Sequence, residues 1–508
     1  MHGMSVMPET FLTFDLGTTA LKTALVSSGG QLLAVHTREY APRAPRPGWA
    51  VMPAEVYWQE VVEGTRAVFG QTNAVPSSLA GIGFSSQGQT FVPIDRVGRP
   101  LYDAIVWMDS RAQGIADAWE ASWLSRERFR RISGFPWLLA ALTVFKVAWL
   151  AQHAPEAHRA WKFLCLPDYL IYRLTGETAT DYVTAAVNGF FNLETRAWEP
   201  QLLEGAGITR EQLPTVLSPG TVAGKLRSKA AAQLGLPSGV PISVGAHDQL
   251  VGAVGAGNVR PGVVTETTGT SLALIATTST LLDDTRMVVG RHAVPELSYA
   301  MTFALTSAIV LKWLRDLCAP GKGYDQFLSG VESIPPGCDG LSVLPHFMGT
   351  SRPPFDPHVR GAFVGLMLGH TRAHLVRAIM EACACLLKEG VDPITDHGLT
   401  VRRVRSLGGA ARSDTWLQMK ADLLGIPVER PACADAASLG AAMLAATGTG
   451  RFATVTEASD AWYRPAQVFE PDPTRFKIYR EVYARYLDLM RRLYGDAGAQ
   501  PSTGGSHS

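Results

Sequence analysis

Two stretches far apart in the chain share one pattern, and that pattern constrains the fold more than any other feature. FLTFDLGTTALKTALVSSGGQLLAVHTREYA, residues 11–41, reads as three β-strands, Phe11 to Phe14, Leu21 to Val26 and Leu32 to Tyr40, joined by the turns DLGTT and SSGG. GVVTETTGTSLALIATTST, residues 262–280, is a second strand–turn–strand. Each turn sets a glycine before two hydroxyl residues: Gly17, Thr18 and Thr19 in one, Gly269, Thr270 and Ser271 in the other. The repeat predicts two similar α/β halves that meet near residue 260, with a cleft between them. A length of 508 residues suits two or more domains.

Elsewhere the periodicity is helical. SDTWLQMKADLLG keeps apolar residues at helical spacing and stops at Gly425, with Pro427 beyond; HLVRAIMEACACLLKEG is predicted to close at Gly390. FKIYREVYARYLDLMRRLYG is amphipathic with a basic face, read as a solvated face over a docked aromatic stripe; a nucleic-acid or membrane helix is the competing reading. The small, polar residues 496–508 read as a disordered tail. An apolar content of 46% with a net charge of +1 excludes a disordered chain and gives no sign of a polyanionic partner. There is no basic-then-apolar leader and no long apolar run, and the six cysteines are scattered without a C-x-x-C pair. The expectation is a cytoplasmic protein with neither membrane nor nucleic-acid partner, and with no zinc or disulfide framework.

A tight Gly-Thr turn between strands offers backbone N–H groups and hydroxyls at short range, as phosphate oxygens require. Asp15, before the first turn, suits an indirect Mg²⁺ ligand acting through water, because Mg²⁺ keeps much of its hydration shell. The plain alternative for either turn is an ordinary hairpin. A third glycine cluster, SLGGAARSDTW, opens a helix with Ser413 or Asp414 as N-cap; Gly408 and Gly409 either let a flat base approach the backbone or simply turn strand into helix.

In VGAHDQLVGAVGAGNVRPG, residues 244–262, Asp248 stands alone among small apolar residues. The run after it is predicted to be a closely packed helix, so Asp248 sits at a helix N-terminus, where its carboxylate stays ionised. It is either a cap or a base that accepts a hydroxyl proton. His247 reads as a structural neighbour. In IGFSSQGQTFVPID, residues 82–95, the small and amide residues between two apolar runs suit either a solvated loop or a polyhydroxylated ligand. WMDSR, with Trp107, Asp109 and Arg111, likewise mixes a flat apolar face with hydrogen-bonding groups suited to a sugar.

In this order the motifs resemble the FGGY family of carbohydrate kinases, within the actin-like and Hsp70-like ATPases. DLGTT alone is shared with chaperones of that group. TVFKVAWLAQH, residues 143–153, resembles the family's first signature through Thr143, Lys146, Trp149 and Gln152, with Ala141 in place of a larger residue or Gly. GAFVGLMLGHTRAHLVRAIME, residues 361–381, resembles the second throughout, His374, Ala378 and Glu381 included. The resemblance covers residues 11–495. It implies an α/β fold of two ribonuclease-H-like (actin/Hsp70-type ATPase) domains flanking a catalytic cleft: residues 1–258, binding sugar, and 259–495, binding ATP.

The WMDSR reading places Trp107 and Asp109 on the sugar, and the resemblance implies Asp248 as catalytic base, with Gly88, Gln89 and Gln249 also at the substrate. It implies Asp15, Gly17, Thr18, Thr19, Gly269, Thr270, Gly408, Gly409 and Ser413 around ATP, and Mg²⁺ held by Asp15 through water. Family members are often homodimers. The substrate positions depart from the pattern: Gly88-Gln89 stand where glycerol kinases have Arg-Glu and xylulokinases usually Met-His. Val51 replaces a frequent acid, and Arg352-Pro353 is offset from the common motif. The layout is most similar to xylulokinases, so a small sugar or polyol, foremost a ketopentose, is the expected substrate. A non-catalytic sugar-binding protein of the same fold is the alternative. An Hsp70-like ATPase acting on proteins needs a peptide-binding β-domain, for which the helical C-terminal stretch leaves no room.

Overall fold

A computed structural model describes residues 9–350 and 356–495; Arg352-Pro353 and the tail 496–508 lie outside the described residues. In the first half, β1 (Thr10–Leu16) and β2 (Ala20–Ser27) pair antiparallel up to Leu16 and Leu21. The turn between them is therefore no more than Gly17 to Ala20, closed by the Gly17 N–H donating to Ala20 O at 2.9 Å. β3 (Leu32–Glu39) completes the meander. β4 (Leu79–Ser86) lies parallel to β1, and β5 (Val222–Lys225), β6 (Pro241–Ser243) and β7 (Ala246–His247) extend the sheet. The order is β5-β6-β4-β1-β2-β3, with β7 also on β4. Leu12, Phe14, Ile82, Phe84, Ile242 and Val244 are fully buried in one core, which explains why β1 and β4 are near-continuous apolar runs.

β1, β4 and β7 all run the same way, with Asp15 beside Ser85 and Ala246 beside Ser85 on its other edge. Their carboxyl ends therefore lie together, the usual ligand edge of an open α/β sheet. A smaller sheet of Val51–Met52, Ala104–Ile105, Phe91–Ile94 and Lys162–Cys165 carries the chain past Thr90 and Trp107. Beneath it runs α1 (Thr143–His153). α2 (Asp248–Gly255) begins directly after β7 and crosses the helix Ala436–Gly448 at backbone contact. A Cβ on Gly255 would meet Ala436 O at 1.8 Å, and one on Gly440 would meet Val251 O at 2.0 Å. Only glycine fits either position.

The second half repeats the plan. β8 (Val263–Thr268), β9 (Leu272–Thr278), β10 (Ser298–Ala304), β11 (Arg403–Leu407), β12 (Val428–Pro431) and β13 (Pro465–Phe469) follow the order β10-β9-β8-β11-β12-β13. As in the first half, a hairpin is followed by parallel neighbours and closed by an antiparallel strand. The longer helices of this half include α3 (Ala308–Cys318), α4 (Arg372–Asp396), α5 (Asp414–Leu424) and α6 (Pro473–Tyr494). α5 starts on Ser413, whose side chain accepts the Trp416 N–H, and stops at Gly425.

α4 corrects the expected stop at Gly390: it continues through Gly390 and Pro393 to Asp396. Leu386, Leu387, Val391 and Ile394 are buried along it and the Thr302 hydroxyl donates to Gly390 O (3.3 Å), so packing overrides the local breakers. On α6, Tyr479, Val482, Tyr486 and Met490 are buried, as a docked aromatic stripe requires. No helix among the described residues is long and apolar enough to cross a membrane.

By contacts the chain forms two compact units: one runs to Arg260 and includes Thr277–Tyr299 and Asp435–Arg464, and the other holds Pro261–Ala276, Ala300–Ala434 and the chain from Pro465 on.

Candidate active site

In the first unit, Asp15 is the penultimate residue of β1 and accepts the Ser85 hydroxyl at Oδ1 (2.7 Å). Burial pushes its pKa up to about 7; the charges of Asp248 and Asp435 add to the rise, while the Ser85 hydroxyl and Lys22 oppose it. Among the described residues no three His, Cys, Asp or Glu side chains come close enough to grip a metal directly. A hydrated divalent cation would fit this place better, because its charge would favour the ionised form of a carboxylate that burial above all, and then the Asp248 and Asp435 charges, disfavour.

The turn after Asp15 is pinned by groups remote in sequence. Gly17 O accepts from the Tyr40 hydroxyl (2.6 Å) and from Gln87 Nε2 (3.1 Å), and Thr18 Oγ1 accepts the Trp107 indole N–H (2.7 Å). Thr19 is exposed. Gln87 is buried and also takes the Thr90 hydroxyl at Oε1 (3.2 Å), so its amide is occupied by protein.

Asp248 is the first residue of α2; His247, not Asp248, is the N-cap. Its side chain is 28% exposed, with Oδ1 accepting the Gln249 N–H at 2.6 Å and His247 Nδ1 3.5 Å away. Gln249 is half-buried beside it. Gly88 is required by His247, because a Cβ on it would come within 2.7 Å of the imidazole. Gln89 holds a left-handed backbone, φ 57°, and is half-buried. Trp107 is 38% exposed.

Asp109 differs from expectation. It has no exposed surface, and both oxygens are engaged by Arg111 (2.7 and 2.8 Å) and by the Ala50 N–H (2.6 Å). Arg111 in turn stacks 3.7 Å above the Trp49 ring. The carboxylate is committed to holding this loop together and presents nothing to a ligand.

In the second unit, Thr268, Gly269, Thr270, Gly409 and Ser413 line one pocket of about 730 Å³, whose walls include Ile309, Leu328, Met380 and Trp416. The size and the mixed lining suit a nucleotide. Gly269 O and Thr270 O accept N–H groups at the start of α3, from Ala308 (2.9 Å) and Ser307 (3.0 Å), which anchors the turn. Gly408 stands just behind with φ 78°, where an added Cβ would lie 3.1 Å from Thr268 O. Directly beneath is a fully buried pair: Lys420 donates to Glu266 (2.5 Å) and Thr268 Oγ1 (3.0 Å), and Glu266 also accepts from Thr268 (2.6 Å) and Ser406.

Asp435, Gln87 and this pair escaped sequence reading. Asp435 looks like the N-cap it also is, accepting the Ser438 N–H, and nothing local says that it lies in the field of Asp15.

Paired repeats of a strand–Gly–hydroxyl turn, one in each α/β unit, are the plan of the actin/Hsp70-like ATPase fold. The profiles of the FGGY family of carbohydrate kinases match residues 10–255 with the N-terminal domain and 265–449 with the C-terminal domain. The chain is 30% identical over 493 residues to the xylulose kinase of Bacillus subtilis (strain 168), covering 94% of this chain and 97% of that one. It is 31% identical over 497 residues to the glycerol kinase of Nitratidesulfovibrio vulgaris (strain DSM 19637 / Miyazaki F), covering 94% and 97%. The crystal structure of xylulose kinase from Rhodospirillum rubrum superimposes with a TM-score of 0.88 at 29% identity, over 97% of this chain and 100% of that one. The chain belongs to the FGGY family of carbohydrate kinases and is an ATP-dependent sugar kinase.

Proposed function

We propose that this kinase phosphorylates a ketopentose, with xylulose the leading candidate, and that Asp248 is its general base. The observation that carries the reading is Asp248 itself: an acid on the carboxyl edge of the sheet, part-exposed, with Oδ1 held by the Gln249 N–H and Oδ2 without a protein partner among the described residues. In the proposed step the acceptor hydroxyl passes its proton to Asp248 as its oxygen bonds to the γ-phosphorus of ATP. The bond from that phosphorus to the β–γ bridging oxygen breaks, and ADP leaves. A weak base suffices, because the loose transition state leaves most of the catalysis to positioning and charge neutralisation.

Trp107 would offer a flat apolar face to the sugar's C–H groups, and Gln89 and Gln249 amides that both donate and accept to its hydroxyls. Gly88 keeps Gln89 and His247 in register, and Asp109 supports the Trp107 loop. Gly269 and Thr270 are assigned to ATP phosphates, as are Gly17, Thr18 and Thr19; Gly408, Gly409 and Ser413 are assigned to the adenosine side. Asp15 would hold Mg²⁺ through water, and the ion would neutralise phosphate charge.

Relatives named as xylulose kinases favour a ketopentose, but the glycerol kinase is as similar, so acceptor identity needs a direct test. ADP release with Mg-ATP should be measured across xylulose, ribulose, fructose, gluconate, erythritol and glycerol. Preferred turnover of xylulose supports the reading. Turnover of glycerol or gluconate alone replaces the ketopentose, and silence across the panel with ATP still bound favours a non-catalytic sugar-binding protein.

A further inference from the structure

Lys146 is a buried charge that the proposed chemistry leaves unused. It has no exposed surface, and its ammonium donates to two backbone carbonyls, Val106 O (2.9 Å) and Trp107 O (3.0 Å). The acid in its field, Asp109, is already bonded to Arg111 and to the Ala50 N–H. Burial pushes the Lys146 pKa down to about 7, a sign that the charged form is held against a cost. A methionine of similar length would fill the space without that cost, so packing alone gives no reason for an ammonium here.

What the ammonium grips supplies one. Trp107 is fixed at three points: its N–H donates to Thr90 Oγ1 (3.0 Å), its carbonyl accepts from Lys146, and its indole N–H reaches Thr18. Three residues earlier, on the same face of α1, Thr143 Oγ1 lies 2.8 Å from Asn188 Oδ1 and 3.2 Å from Gln89 O, one hydroxyl shared by two acceptors. Gln89 is the residue with the left-handed backbone, a conformation that glutamine keeps only where its surroundings hold it. One turn of helix thus reaches the main chain of two residues whose side chains are assigned to the sugar, Trp107 and Gln89.

We infer that Lys146 is a positioning residue for sugar recognition: its ammonium fixes the Val106–Trp107 backbone so that the indole presents a constant face to the sugar, while Thr143 steadies Gln89. The inference rests on the reading of Trp107 as a sugar contact. It predicts a specific pattern of loss, because a group that orients a binding surface changes the affinity of the ligand on that surface and little else.

The test is a double-mutant cycle of Lys146→Met and Trp107→Ala, with xylulose as acceptor or whichever panel member is turned over in its place. Lys146→Met is expected to raise the sugar KM about tenfold, with the ATP KM and kcat within about twofold and the Tm unchanged or higher. In the Trp107→Ala background the same substitution should add less than about twofold, since its route to the sugar is gone. Lys146→Gln, which keeps N–H donors for the carbonyls, should recover part of the loss. If Trp107→Ala raises the sugar KM and Lys146→Met does not, the inference fails and the site reading survives. Losses that multiply in the double variant, or an ATP KM that rises as much as the sugar KM, also overturn it. If Trp107→Ala itself leaves the sugar KM unchanged, the site reading fails and takes the inference with it. Should Lys146→Met not fold, Lys146→Leu, which also removes the donor, carries the same cycle: a loss coupled to Trp107 supports the inference, and an unchanged KM overturns it.

Discussion

Asp248, the proposed base, is also the first residue of α2, with Oδ1 held by the Gln249 N–H. Asp248→Asn should lower kcat by at least about a hundredfold with little change in ATP binding, measured by initial rates and calorimetry; a loss within threefold would remove it as the base. Gln89→Ala should raise the sugar KM about tenfold and spare the ATP KM, and equal losses would take Gln89 out of the sugar site. Lys146 gives a pH signature. Its folded pKa, about 7, is below the ordinary lysine value of 10.5, so above pH 7 the unfolded chain binds the extra proton and stability rises with pH. The stability gained by Lys146→Met over the parent should therefore be largest at pH 7 and below and shrink towards pH 10, as Tm measurements across that range would show. The place of Asp248 at the start of α2 was legible because it is the one acid at the head of a run of small residues. Asp109 misled, because residue type shows a carboxylate but not that Arg111 and the Ala50 N–H already occupy it.

Among the elements, the two Gly-hydroxyl hairpins were legible because strand–turn–strand is written in neighbouring residues, and so were α5 with its Ser413 cap and α6 with its aromatic stripe. The crossing of α2 with the helix Ala436–Gly448 shows why small residues recur in both. Gly255→Ala or Gly440→Ala should each cost about 1–3 kcal/mol or more, seen as a lowered Tm, since the added methyl meets a backbone oxygen that cannot step aside. Lys420→Met should cost about 3–5 kcal/mol by leaving Glu266 buried and unpaired, and Glu266→Gln in the same chain should return most of it. Local signals failed on α4, where Gly390 and Pro393 announce an end that buried Leu386, Leu387, Val391 and Ile394 overrule.

For the whole molecule, the expectation is that the sugar protects only the first unit, while ATP protects the second and, through its phosphates, the Gly17–Thr19 turn of the first. In hydrogen exchange, a non-hydrolysable ATP analogue alone should slow amides around Gly269–Thr270 and Gly408–Trp416, and sugar alone those around Gly88–Thr90 and Trp107–Asp109. Protection of both sets by either ligand alone would contradict that division. The sequence by itself determined the α/β class, the two-fold repeat, the places of the two Gly-hydroxyl turns and the acid at the head of α2, because hairpins, caps and periodicity are properties of adjacent residues. Only the tertiary structure decided that Asp435–Arg464 returns to the first unit and brings Asp435 into the field of Asp15. It alone brought Gln87 and Tyr40 to the Gly17 carbonyl and Lys146 beneath Trp107. These contacts join residues tens to hundreds of positions apart, and a buried charge or amide finds its partner through packing, which no local spacing records.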